Sequence, residues 1–276
     1  MNVVGLGRCG CNIAKCFEQY PQYNVYHINT EKIDSKNFFL LKKQDSHEEY
    51  EKNYSNLSKF FKKIKDEVFF IVGGSGTISG ATLSVLEDLK HCKITVVYVK
   101  PETDLLSENK TLQEKVVYNV LQQYARSGLL KVMYVFSNPI IEEMIPDITI
   151  YNRFEKINKL ISSSLHMMNV FNNTEPVTAT ITDFSEIARI GSAGSFDVEE
   201  NLENFYFSLD NVCEKCYYYA VPEKQLKEDT KLFRKITEQM KNKAKDKKVK
   251  ISYMIHSTDY PQIHCYVVAR SSQDQK

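Results

Sequence analysis

Short runs of β-branched and aromatic residues recur through the first half of the chain, separated by longer polar stretches. Asn2–Val4, Asn24–Ile28, Val68–Val72, Ile94–Val99 and Val132–Phe136 read as strands. Between them, Asn12–Gln19, Ser55–Lys65, Gly80–Leu89 and Leu112–Ala125 carry apolar residues at the spacing of one helical face. Strands alternating with helices imply a mostly parallel sheet covered on both faces, the doubly wound α/β class. Ligands of such sheets bind at the carboxyl ends of the strands.

A longer helix is expected from about Thr149 to Met168, with Pro146 ahead of it and Asp147 or Thr149 as its cap. The polar break Asn172-Asn173-Thr174-Glu175-Pro176 follows, and the texture then changes. Val177–Ile181, Cys216–Val221, Lys250–Ile255 and Ile263–Ala269 read as strands, the last two as an antiparallel pair across a turn holding Asp259 and Pro261. The expected organisation is a nucleotide-binding domain over residues 1–171, ending in the long connecting helix, and a smaller α/β domain with a mixed sheet over 172–276. No internal repeat or low-complexity segment interrupts it.

Composition narrows the function. The chain of 276 residues is 42% apolar and has a formal net charge of +1, so no global field argues for nucleic acid or membrane. Its apolar runs are of strand length, far short of the ~20 residues that cross a membrane. The basic stretch Lys231–Lys250 is interspersed with acids and reads as a solvated helix and loop. Seven scattered cysteines, with one CxxC at Cys213 and Cys216, lack the second ligand pair a zinc site needs. They read as reduced thiols of a cytoplasmic protein, and no metal ligands are expected among the side chains.

Two glycine-rich segments carry the chemistry. Gly5-Leu6-Gly7-Arg8-Cys9-Gly10 follows the first strand and opens a helix. Glycines let backbone approach a phosphate, and a helix start offers free N–H groups and a positive dipole end. Alone, this fits a Rossmann dinucleotide site, with Glu31 at the distance that fingerprint asks of its acid; a tight strand–helix turn also accounts for it. Gly73-Gly74-Ser75-Gly76-Thr77-Ile78-Ser79-Gly80 repeats the arrangement between another strand and helix, and can wrap a phosphate chain in N–H donors. A dehydrogenase has no use for this second segment.

These segments resemble the tubulin and FtsZ family, and the resemblance spans nearly the whole chain. That family's first glycine segment ends in Gly-Cys-Asn, as Gly10-Cys11-Asn12 does. Its second strand ends in Ile-Asn-Thr-Asp, here Ile28-Asn29-Thr30-Glu31. Its signature Gly-Gly-Gly-Thr-Gly-Ser-Gly is matched by Gly74–Gly80 except at Ser75 and Ile78. The pattern is that of a divergent member, nearer the phage or plasmid relatives. The resemblance implies a GTP or GDP ligand with Mg²⁺, its phosphates held by Gly7, Arg8, Cys9, Gly10, Cys11 and Asn12 and by Gly74, Ser75, Gly76, Thr77, Ile78, Ser79 and Gly80.

Phe154 and Asn158 stand i, i+4 on the long helix and share a face. An aromatic ring can stack on a purine while an amide reads its edge; equally, Phe154 could be core. The resemblance implies that this pair, with Asn138 after the strand ending at Phe136, holds guanine. Asp183-Phe184-Ser185-Glu186 sets two carboxylates three apart at an expected helix start, where acids also simply complement the helix dipole. In the resembled family such acids, here Asp183 and Glu186, form a catalytic pair reaching the nucleotide of the neighbouring subunit. The family's asparagine two positions earlier is Ile181 here.

The expectation is thus a polymerising GTPase whose partner is another copy of itself, head to tail, with any adaptor unspecified. Two rivals remain: a filament or scaffold protein that binds nucleotide without efficient turnover, and an NAD(P)-dependent oxidoreductase using Gly5–Gly10 and Glu31.

Overall fold

The computed structural model describes residues 1–180 and 184–273, in two compact units, Met1–Ser162 and Ser163–Lys276. Asp183 and Ile181 lie outside the described residues.

The first unit is laid down as β1 (Asn2–Leu6), α1 (Gly7–Lys15), β2 (Asn24–Asn29), β3 (Phe38–Leu40), α2 (His47–Lys52) and β4 (Glu67–Gly73). A 3₁₀ turn (Thr77–Ala81) runs into α3 (Thr82–Asp88), then come β5 (Lys93–Lys100), α4 (Glu108–Arg126), β6 (Val132–Ser137) and α5 (Asn138–Met144). Helix α6 (Arg153–Asn172) begins here and crosses into the second unit. The six strands are all parallel in the order β3-β2-β1-β4-β5-β6. Chain direction across the sheet reverses between β1 and β4, and a crevice opens at the carboxyl ends of strands where order reverses. Strands β1, β4, β5 and β6 are buried along nearly their whole length, because helices cover both faces.

Two elements differ from expectation. Helix α1 starts at Gly7 rather than Asn12, so the first glycine segment is a helical turn and not a loop. Residues 55–65 form turns rather than a helix, although Leu57, Phe61 and Ile64 are buried at helical spacing. The Asp88 carboxylate captures the Leu57 N–H at 2.7 Å, the Ser58 hydroxyl at 2.7 Å and the Tyr54 hydroxyl at 2.8 Å. Those bonds fix the start of the segment in a non-helical conformation.

The second unit continues with β7 (Thr178–Ala179), β8 (Ile190–Asp197), β9 (Leu202–Phe205), β10 (Glu214–Pro222), α7 (Glu223–Glu228), α8 (Leu232–Lys243), β11 (Lys250–Thr258) and β12 (His264–Ser271). Its mixed sheet runs β9-β8-β12-β10-β11-β7, with only β10 and β11 parallel. The expected β11–β12 pair is therefore not made: β10 lies between them, with Tyr217 opposite both Tyr253 and Val267. Tyr217, Tyr218 and Tyr219 are all fully buried, and an apolar run buried on both faces needs ladder partners on both sides. Helix α8 covers one face through Leu232, Ile236 and Met240.

Candidate functional site

The two glycine segments meet at the strand-order reversal, since β1 and β4 are direct neighbours. Gly7 has φ +71°, open to glycine at little cost, and a Cβ built on it would stand 2.6 Å from the Cγ2 methyl of Ile78. A Cβ on Gly73 would stand 3.0 Å from the Cβ of Cys9. The N-terminal turn of α1 and the segment after β4 are thus in van der Waals contact. Neither the start of α1 nor that of the 3₁₀ turn has a side-chain cap. First-turn N–H groups at such starts have no partner within their own helix.

Most of these glycines answer to the packing of the chain itself. Gly5 and Gly10 are pressed together: a Cβ on Gly5 would lie 2.5 Å from the Gly10 oxygen. A Cβ on Gly10 would collide with the Ile71 carbonyl of β4, one on Gly74 with the Tyr98 hydroxyl, and one on Gly80 with the His47 carbonyl. Gly76 is different. It is exposed, its φ of −81° suits any residue, and a Cβ there would touch only the Ile78 methyl at 3.6 Å. Among the described residues, nothing in the packing requires glycine at Gly76.

The remaining side chains of the segments divide. Arg8 and Asn12 are exposed, Ser75 and Thr77 half-buried, and Ser79 buried with its N–H bonded to the Gly76 carbonyl at 2.8 Å. Cys11 turns inward, its thiol 3.3 Å from the Gly5 oxygen and 3.5 Å from that of Ile28, so it ties α1 to β1 and β2. Burial pushes both the Cys9 and Cys11 thiols up to about 12. They stay neutral at physiological pH and bring no negative charge against a phosphate.

Asn138, the first residue of α5, follows β6 directly and is half-buried. The Phe154 ring is 60% exposed, which rules out a core role, and the Arg153 guanidinium lies 5.4 Å from its centroid. Asn158 is half-buried one turn further along α6. An Arg153–Glu142 ion pair joins α6 to α5, and Lys156 Nζ donates to the carbonyls of Pro146 and Asp147 at 3.1 and 2.8 Å.

The acidic pair fares differently. Phe184–Arg189 is not the start of a helix. The Ser185 N–H is held by both Glu214 carboxylate oxygens at 3.0 and 2.9 Å, and a single turn closes from Ala188 N–H to the Ser185 carbonyl. The chain then enters β8 at Ile190, where pairing with Ser271 ends any helical continuation. Glu186 stands exposed on that turn.

Helical spacing does not mark one further neighbour of these segments. Helix α2 packs on the 3₁₀ turn, with the His47 backbone against Gly80. The Ser46-His47-Glu48-Glu49 capping signature announces it: the Ser46 hydroxyl accepts from the Glu49 N–H at 3.2 Å. The second unit holds a cleft of about 620 Å³ lined by Asp197, Glu199, Gln225 and His264, but none of the expected site residues lines it.

Neither a family model nor a curated protein matches this sequence. Solved structures do. An empty FtsZ dimer from M. jannaschii superposes with a TM-score of 0.74 at 15% identity, over 99% of this chain and 88% of that one. The chain has the tubulin/FtsZ fold. A GTPγS-form protofilament of TubZ from Bacillus thuringiensis serovar israelensis matches at 0.72 and 14% identity, over 98% and 87% of the two chains. GDP-bound monomeric CetZ1 from Haloferax volcanii matches at 0.73 and 12% identity, over 99% and 94%. With this fold, the parallel sheet, the long α6 and the mixed second sheet are parts of one known architecture. No helix among the described residues is long and apolar enough to cross a membrane.

Proposed function

We propose that this chain binds GTP, assembles head to tail with copies of itself, and hydrolyses GTP at a site that a neighbouring subunit completes. The convergence of two glycine segments at the strand-order reversal carries this reading. The first-turn N–H groups of Gly7, Arg8 and Cys9, the backbone of Ser75, Gly76 and Thr77, and the exposed side chains of Arg8 and Asn12 meet a phosphate chain. Gly10, Gly74, Ser79 and Gly80 shape the turn, the Gly74 N–H being held by the Val99 carbonyl and that of Ser79 by the Gly76 carbonyl. The bare backbone at Gly76 supports a ligand there. Phe154 stacks on guanine while Asn158 and Asn138 read its edge. Among the described residues no cluster of three His, Cys, Asp or Glu side chains could hold a metal, so Mg²⁺ would come with the phosphates, neutralising their charge.

Hydrolysis of this kind is positioning plus charge stabilisation. Glu186, exposed on its turn, and Asp183 orient the attacking water on the nucleotide of the next subunit. Ile150 and Tyr151, exposed before the start of α6, and Ile187 beside Glu186 fit surfaces that another subunit covers. The filament forms named for TubZ support self-assembly.

A second reading, a filament without efficient turnover, is favoured by Ile78 in the signature and by the missing helix after Glu186. Two measurements decide. Saturating GTP should add ~3–4 kcal/mol of stability and so raise the melting point, while NAD does not; the reverse result selects the oxidoreductase. Phosphate release per molecule should climb with protein concentration, and its absence at all concentrations selects the non-hydrolysing filament.

A further inference from the structure

The Cγ2 methyl of Ile78 occupies a particular position. It faces Gly7 at the start of α1, 2.6 Å from where a Cβ would stand, and it is also the one atom within 4 Å of a Cβ built on Gly76. One methyl thus lies against a glycine of each segment, the buried Gly7 and the exposed Gly76. Gly7 and Gly76 can be approached closely only because neither has a side chain, and Ile78 fills the gap they leave.

We infer that Ile78 is a steric gate on the cradle: its methyl must turn aside before a polyphosphate chain can reach the N–H groups of both segments. This rests on the nucleotide reading above. Ile78 is half-buried within the 3₁₀ turn, so its outer face has solvent to move into. A β-branched side chain has few comfortable χ1 settings, so the methyl moves aside by a discrete rotamer change rather than by a small adjustment. A ligand that binds only the open state has its apparent affinity reduced by the open fraction. A glycine at this position would impose no such reduction. The gate therefore makes nucleotide loading slow and selective for ligands whose phosphates bridge both segments.

The sign of the effect separates a gate from ordinary packing. Ile78→Val keeps the Cγ2 methyl, whereas Ile78→Ala and Ile78→Gly remove it. Stopped-flow mixing of N-methylanthraniloyl-GTP with the full-length chain and each variant, at concentrations where light scattering shows monomers, reads association and affinity together. Thermal melts confirm that each variant is folded. Association and apparent affinity should rise about tenfold in Ile78→Ala and Ile78→Gly, the reciprocal of a tenth-populated open state, and stay unchanged in Ile78→Val. Equal association in all four proteins, or weaker binding in a folded Ile78→Ala, overturns the gate and leaves the nucleotide site standing. Silence of every protein toward the nucleotide overturns the nucleotide reading itself, and the gate with it.

Discussion

The Tyr98 hydroxyl donates to the Glu114 carboxylate at 3.0 Å, directly under Gly74, and both side chains are buried. Burial, followed by the charge of Glu114 and this hydrogen bond, drives the tyrosine well above its ordinary range, so it stays a donor. Tyr98→Phe leaves a buried carboxylate without that donor and should cost ~1–3 kcal/mol in denaturant unfolding. Gly74→Ala should be worse than a surface change, because its methyl meets the Tyr98 hydroxyl.

Gly76 and Gly80 should separate binding from folding. A Cβ at the exposed Gly76 meets only the Ile78 methyl, so Gly76→Val should fold with a near-native melting temperature yet lose GTP binding in a titration. Gly80→Val drives a side chain into the His47 backbone and should lower the melting temperature itself. Normal GTP binding by Gly76→Val would remove the phosphate role of that segment.

Base choice should rest on Asn158. Its amide can accept from guanine N1–H or N2–H and donate to O6, whereas adenine presents the reversed pattern. Each unpaired buried group costs ~1–3 kcal/mol. GTP should out-compete ATP for the native protein by an order of magnitude or more, and Asn158→Ala should shrink that ratio. Equal competition by both nucleotides in the native protein would contradict the assignment.

Glu186→Ala should bind GTP as well as the native chain, since the nucleotide segments lie before Met168. It should still assemble, because the surface loses one carboxylate and none of its packing. Its phosphate release should fall ~10²–10⁴-fold, the usual range for a lost acid–base group, and its filaments should persist in electron micrographs. Normal turnover in Glu186→Ala would remove the shared site.

Acid stability should depend on Glu203. Burial pushes its carboxyl up, but hydrogen bonds from Lys215, Lys243 and Tyr217, with the charge of Lys215, overcome burial and hold it at about 2. A carboxyl lowered from the ordinary 4.5 adds stability that is present above that value and drains away as pH falls toward 2. The loss over that interval should be roughly 2–3 kcal/mol by denaturant melts. Glu203→Gln should flatten the acid limb of the stability profile; an unchanged limb would show that the cluster is not held in this way.

Local spacing determined much of this protein in advance. The β-branched runs and their helical intervals place five of the six parallel strands, because a strand buried on both faces must be apolar along its whole length. The alternation in turn put both glycine segments at carboxyl strand ends. What the sequence could not rank was the set of alternatives that only neighbours decide. Leu57, Phe61 and Ile64 have helical spacing, yet Asp88, distant in sequence, takes the hydrogen bonds a helix start would need. Lys250–Ile255 and Ile263–Ala269 look like a hairpin by proximity, but the fully buried Tyr217–Tyr219 run claims the place between them. Ser185 sits where a helix was expected, and the Glu214 carboxylate holds its N–H in a turn. The spacing of Phe154 is also that of a core residue, and only the tertiary structure leaves its ring exposed. The difference between Gly10, pressed on Ile71, and Gly76, bare to solvent, is likewise a matter of what surrounds each glycine. Periodicity records which face of a segment is buried; it does not record which distant partner buries it, and hydrogen-bond competition and strand order are settled by that partner.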